Sequence, residues 1–363
     1  MIFITTLNIV VILMAYLARF ENHRYLLAWA FVLLALVLGI RYGYGNDFFA
    51  YKYMFDHGYP EDGFRDDVEP GWYILNKLFK PFGFSSFVFF LTAIEHVMLY
   101  DLIRRYVPPQ YYWMAVFIYV FNPNYMLIGL SMMRQFLVQV IGLYAVGFAI
   151  KKQILPFIVI IMIGFFIHKV ALLLLPLFFL PYIKTAKWWL FLVVFVALYV
   201  VIQNMSAIIE TLFEGIQETG MKYADDYLNE EIINGNNALD KKYIFHYFIF
   251  MFLFVFNANK LESIEKSYSW MVVIGVFFLP FALLFPMAIR TSWIYTIAEI
   301  ISLPLLFSKE RIPIVKYGFI IMLVLITLWV DYRAIFLSDI YGPYFENYHT
   351  IFSDYAINDI RLY

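Results

Sequence analysis

The sequence predicts an all-α polytopic membrane protein of about twelve transmembrane helices with amphipathic extracytoplasmic helices, forming one integral membrane domain over residues 1–363. Three observations carry that prediction. The chain is 63% hydrophobic and only 15% charged, whereas soluble domains are ~45–50% apolar and ~25% charged. Apolar runs of spanning length recur along it. Its cations gather in one set of short loops, while the long polar segments fall between the others. Cysteine is absent, so thiolate and disulfide chemistry is excluded. A net charge of −1 leaves no electrostatic footprint for nucleic acid.

A span needs roughly 20 apolar residues, fewer inside a bundle. On that measure the spans fall near 2–18, 25–40, 85–103, 111–128, 131–150, 154–168, 169–183, 188–204, 243–258, 268–288, 291–307 and 316–330. The first has no small-residue cleavage signal and is expected to be a retained helix. The pair over 154–183 is short and cut by Pro156, Pro176 and Pro181. It forms either two spans or a re-entrant hairpin lining a cavity.

Loops bearing Arg19, Arg24, Arg104, Arg105, Lys151, Lys152, Lys184, Lys187, Lys260, Lys266, Lys309, Arg311 and Lys316 are assigned to the cytoplasm. Segments 41–84, 205–242 and 331–363 then lie outside, with both termini. In the first of these, Glu69 stands at a helix cap position before Pro70, which suits the first turn. Trp72, Leu75, Leu78 and Phe79 follow on one stripe, as in a helix lying along the interface. In the second, Ile209, Leu212, Phe213 and Ile216 form such a stripe and run on to Tyr223. The tail carries a turn at Tyr341-Gly342-Pro343-Tyr344.

The polar residues at apolar boundaries are the functional candidates. Arg41-Tyr42-Gly43-Tyr44-Gly45-Asn46-Asp47 joins a long apolar run to an aromatic loop. Its two glycines allow a sharp turn or a close approach to a ligand; its arginine is either such a site or an interfacial anchor. Arg134 opens a span, with Gln135, Gln139 and Gly142 forming a polar or small face behind it. A cation at the positive end of a helix opposes the macrodipole unless an anion lies there; the bland alternative is a snorkelling side chain. Arg290 likewise precedes Ser292, Tyr295 or Thr296, and Glu299. His168, between two short apolar segments, is either a structural hydrogen-bond partner or functional. Glu95 and His96 read as an interhelical hydrogen-bond pair, and His246 as structural. The acid pairs Asp66-Asp67 and Asp225-Asp226 have no histidine at ligand spacing, so no metal is expected.

Arg41, Arg134 and Arg290 share one feature: all fall at outer span boundaries. Guanidinium forks match phosphate oxygens bidentately and stay charged. Three of them suit a membrane-embedded pyrophosphate, and the aromatic loops suit sugar faces.

Taken in order, Arg41-Tyr42-Gly43-x-Gly45-x-Asp47 with Tyr51, Glu69-Pro70-Gly71, Met133-Arg134-Gln135, Phe166-x-His168, and Arg290 with Tyr295 resemble the EpsG-like branch of the Wzy polysaccharide polymerases. The resemblance runs from the second expected span to the eleventh. Asn46 and Phe48 depart from it, standing where a small hydroxyl residue and an aromatic such as Tyr are expected. It implies a fold similar to C-type glycosyltransferases, in the bacterial inner membrane, with the active site facing outward. It implies a reaction in which a growing glycan passes from undecaprenyl pyrophosphate to the next lipid-linked repeat unit, with inversion and without metal, cofactor or nucleotide sugar.

The partners so implied are the undecaprenyl-pyrophosphate-linked donor and acceptor, membrane lipids, and a chain-length regulator and flippase of the same pathway. Arg134 and Arg290 are expected to stabilise the leaving phosphate, with Arg41 assisting. Tyr51, Glu69, Gln135, Tyr223 and Tyr295 are expected substrate contacts. Asp47, presented by the glycine turn near Arg41, is expected to be the general base, with His168 as the alternative. The competing assignments are a lipid-linked oligosaccharide flippase, which would place its charges near the midplane and show repeated halves, and an O-antigen ligase with the same donor.

Overall fold

The computed structural model describes residues 2–58, 68–183, 187, 189, 192–200, 241–283, 287–338 and 342–353, with backbone alone at 241–247, 282, 283, 287 and 288. Helices α1 (Ile2–Leu17) and α2 (Tyr25–Gly39) form an opening hairpin. A two-residue strand β1 (Arg41–Tyr42) and a short helix α3 (Phe48–His57) follow. Helix α4 (Pro70–Phe79) precedes the long α5 (Phe84–Tyr106). Then come α6 (Tyr112–Phe121), α7 (Met126–Ser131), α8 (Met133–Ile150), α9 (Ile154–Ile167) and a 3₁₀ segment, Lys169–Tyr182. The second half holds α10 (Lys241–Asn257), α11 (Ser263–Phe278), α12 (Met287–Thr296), α13 (Glu299–Lys309), α14 (Pro313–Phe336), α15 (Gly342–Phe345) and strand β2 (His349–Thr350).

The protein is a multi-pass helical membrane protein. Among the described residues five helices are long and apolar enough to cross a bilayer: Glu21–Gly39, Phe84–Tyr106, Met133–Ile150, Ser263–Phe281 and Pro313–Phe336. A sixth span arises if α12 and α13, bent by 51° at their junction, count as one. Shorter apolar helices cover Ile2–Leu17, Ile154–Ile167, Lys169–Tyr182 and Phe248–Lys260. The expected count of twelve is not confirmed. One reason is length: the 14 residues of α9 rise only ~21 Å, against a ~30 Å hydrocarbon core. Another is interruption. The expected span 111–128 breaks after Phe121, where Pro123 has no amide hydrogen to continue the ladder. Asn122 fills the break by accepting the Asn124 amide at 3.1 Å. The expected span 188–204 lies partly outside the described residues, as do most of 205–242 and the last residues of the tail.

Helix α8 is central, packing on α5, α9, the 3₁₀ segment, α11 and α12. Its polar Gln135 and Gln139 are buried along with its apolar residues. Helix α14 is the least buried of the five long apolar helices, with Ile314, Ile321, Leu325 and Trp329 exposed as a lipid-facing side. Helix α4 buries Trp72 and Asn76 against the protein and exposes Tyr73, Ile74 and Leu78. That is the two-faced pattern expected of an interfacial helix.

Among the described residues the fold is helical except for one antiparallel ladder that the sequence analysis did not anticipate. Arg41 pairs with Thr350 and Tyr42 with His349. The Ile351 amide extends it by donating to the Ile40 carbonyl at 3.0 Å. Tyr44 packs edge-on against Phe345 and Tyr348. The tail thus folds back onto the glycine turn.

Candidate functional site

Two glycines set the backbone of the site. Gly71 sits in the first turn of α4, and a Cβ there would fall 2.6 Å from the Phe166 carbonyl oxygen. The start of α4 therefore lies directly on the end of α9, and Glu69 is delivered to the turn that follows α9. Gly45 has φ +123°, outside the range that side chains tolerate. A Cβ on it would lie 2.7 Å from the Leu130 carbonyl. The turn is pinned to the residues just before α8, and the Asn46 amide donates to Ser131 Oγ at 3.1 Å.

Between these approaches lies a charged network. Arg134, in the first turn of α8, donates through Nη1 to Glu69 Oε2 at 2.7 Å. The other oxygen, Oε1, accepts from His168 Nδ1 at 2.7 Å and from the Lys169 amide at 3.0 Å. A carboxylate only accepts, so Nδ1 carries a proton, and in the neutral ring the lone pair falls on Nε2. Nε2 has no partner among the described residues, and 28% of the histidine side chain is exposed. Glu69 itself is buried, at 4%. Burial works against its charge, but the hydrogen bonds from His168 and Lys169, joined by the charge on Arg134, outweigh that and hold its pKa at about 2.

The guanidinium of Arg134 lies 5.9 Å from the rings of both Tyr51 and Trp72, which meet edge to face at 5.7 Å. Burial, with the nearby charge of Asp47, raises the Tyr51 pKa and keeps its phenol protonated, against the pull of Arg134. On the other side, Gln135 Nε2 donates to the Arg290 carbonyl at 3.1 Å. The Arg290 side chain has no hydrogen-bond or ion-pair partner among the described residues.

The structure thus joins Glu69, Arg134, His168 and Tyr51 directly, and Arg290 through Gln135. Asp47 stands at the head of α3, one turn before Tyr51, whose amide donates to the Asp47 carbonyl at 2.9 Å. Glu69 occupies the cap position of α4, as expected, but makes no side-chain cap bond; its carboxylate turns to Arg134 and His168 instead.

Arg41 is elsewhere engaged. It is 3% exposed and donates to the Leu38 carbonyl at 2.7 Å, Thr92 Oγ1 at 2.9 Å and the Leu130 carbonyl at 3.4 Å. His96 belongs to the same buried region as a structural group, with Nδ1 on the Thr92 carbonyl at 2.7 Å and Nε2 3.0 Å from the Tyr119 hydroxyl. Tyr295 is buried, stacks on Phe278 and donates to the Leu173 carbonyl. Tyr223 lies outside the described residues.

Sequence reasoning missed the Lys169 amide and Trp72 as parts of the site. A backbone donor leaves no trace in a sequence. Trp72 was read only as a lipid-stripe residue, although its place one turn from Glu69 was the available signal.

A family model described as the EpsG family matches residues 24–347. No curated protein and no solved structure matches the chain.

Proposed function

The chain belongs to the EpsG family, and from that premise we propose that it is a bacterial surface-polysaccharide polymerase acting at the outer face of the inner membrane. Its donor is a growing glycan on undecaprenyl pyrophosphate, and its acceptor is the next lipid-linked repeat unit. An acceptor hydroxyl attacks the anomeric carbon from the face opposite the leaving group. The carbon–phosphate-oxygen bond breaks with inversion, and undecaprenyl pyrophosphate departs with the electron pair. The hydroxyl proton passes to a base on the protein. No metal or cofactor takes part. Partners of the same pathway, a flippase and a chain-length regulator, supply units and limit the product.

The observation that carries this reading is the pairing of Arg134 with the Glu69–His168 couple, beside Gln135 and Arg290. It supports the reading because one guanidinium, a group suited to phosphate, stands by an imidazole's carboxylate partner, with the Arg290 backbone tied to the neighbouring Gln135. Arg134 and Arg290 receive the charge that grows on the leaving phosphate. Arg41 supports them from behind by fixing the turn, Tyr51 and Tyr223 serve the sugar, and Tyr295, buried on Phe278 and bonded to the Leu173 carbonyl, braces the wall behind them. Two groups are candidates for the base. His168 is oriented through Nδ1 by Glu69 and has an Nε2 with no partner among the described residues, which favours it. Asp47 lies beside Tyr51 and remains the second candidate.

Deleting the gene and sizing the surface glycan tests the reaction. A lipid capped by a single repeat unit is the expected result. Loss of every surface unit points to a flippase, and polymer stranded on its lipid points to a ligase. The base is then identified in membranes supplied with lipid-linked units. His168→Gln is expected to lose ~10²-fold or more in rate. A normal rate for His168→Gln with an inactive Asp47→Asn moves the role to Asp47.

A further inference from the structure

We propose that Glu69 is a positioning residue that couples donor binding to the base. One carboxylate holds Arg134 with one oxygen and His168 with the other, and the donor diphosphate competes with it for Arg134. This rests on the polymerase reading of the site.

Three donors converge on Glu69: Arg134 Nη1, His168 Nδ1 and the Lys169 amide, at 2.7, 2.7 and 3.0 Å. A buried carboxylate so engaged has little left with which to bind a sugar hydroxyl. Its work is on the protein's own groups. It fixes the imidazole so that Nε2 carries the lone pair, and it neutralises Arg134 while no phosphate is present.

A diphosphate, like a carboxylate, offers pairs of oxygens that a guanidinium fork can span, and it carries more charge. When it takes Arg134, Glu69 loses its strongest counter-charge and keeps His168. A carboxylate relieved of an arginine has its charge left for His168 Nδ1–H and the Lys169 amide, so the imidazole is held most firmly in place when the donor arrives. The aromatic pair under Arg134, Tyr51 and Trp72, continues to hold the guanidinium face while its edge changes partner.

The test is a split in kinetic parameters that a merely structural role does not produce. In Glu69→Gln, Arg134 loses its anionic rival to the phosphate, so inorganic diphosphate should inhibit at lower concentration and the lipid-linked unit should half-saturate lower. His168 loses its oriented, charged partner, so kcat should fall by ~10²-fold. In an Arg134→Gln background, where the readout is calorimetric binding of inorganic diphosphate rather than turnover, the same change should no longer tighten that binding. Glu69→Asp keeps the charge but is one methylene short of spanning both partners, and its kcat should fall as well. The proposal is overturned if Glu69→Gln changes kcat and diphosphate inhibition by less than about twofold, or raises half-saturation at unchanged kcat. If Glu69→Gln does not insert, a normal kcat in Glu69→Asp overturns it. Failure of the underlying reading looks different, because the wild-type protein then makes no polymer at all.

Discussion

Arg134 carries the account at the scale of single residues. Its worth depends on shape as much as on charge, because a guanidinium fork can meet two oxygens of a phosphate and an ammonium cannot. We expect Arg134→Lys and Arg290→Lys to insert normally and to yield little or no polymer in cells. Wild-type chain lengths from both would mean that the two side chains only anchor helix ends.

Glu69 gives a second expectation at this scale. Its pKa is depressed in the folded protein, from 4.5 to about 2. A depressed acid contributes stability that is fully present above its ordinary value and is lost as pH falls through the folded one. The thermal advantage of wild type over Glu69→Gln should therefore be constant above that ordinary value and vanish on acidification toward the lower one. An advantage that is flat across that window contradicts the ion pair.

Arg134 and His168 could be singled out from the sequence because charge and imidazole are conspicuous at the ends of apolar runs. Glu69 was singled out as well, as a substrate contact, but not as the partner that the two share. Glu69 is 65 residues from Arg134 and 99 from His168, and its local context, just before Pro70, looks like a helix cap. Arg41 was equally conspicuous. Its burial follows from the fold of α5 and of the residues preceding α8 around it, which no local pattern records.

At the scale of elements, the site depends on how closely α4 and the glycine turn approach their neighbours. Gly71 admits the Phe166 carbonyl to a distance that any side chain would forbid. Gly71→Ala should push α4 off α9, cost roughly 1–3 kcal/mol in stability and separate Glu69 from His168. We expect it to lose activity while a substitution of exposed Ile74 on the same helix, Ile74→Leu, does not. Equal activity in both would show that the α4–α9 contact is dispensable. The stripe of α4 was legible because it has helical spacing. The ladder between β1 and β2 was not, since two residues per strand leave no alternation to detect. The breaks after Phe121 and at the bend between α12 and α13 divide runs that read as continuous apolar spans.

Considering the whole molecule, the distribution of cations predicts that every group in the network lies on the outer side of the membrane. Reporters active only outside the cytoplasm should work when fused after Gly58 and stay silent after Lys152 and after Glu310. Activity at Lys152 would reverse the orientation and turn the site toward the cytoplasm. Membrane class was legible because composition and apolar runs are global properties. The number of crossings was not, because α9 and the 3₁₀ segment are individually short and meet at His168.

The most direct measurement uses purified protein in liposomes given lipid-diphosphate-linked repeat units and nothing else. The account predicts a ladder of products growing by one unit at a time, with one polyprenyl diphosphate released per step, and no ladder from the Arg134→Lys, Arg290→Lys double variant. Units that cross the bilayer intact, or remain unjoined with wild-type protein present, would contradict it.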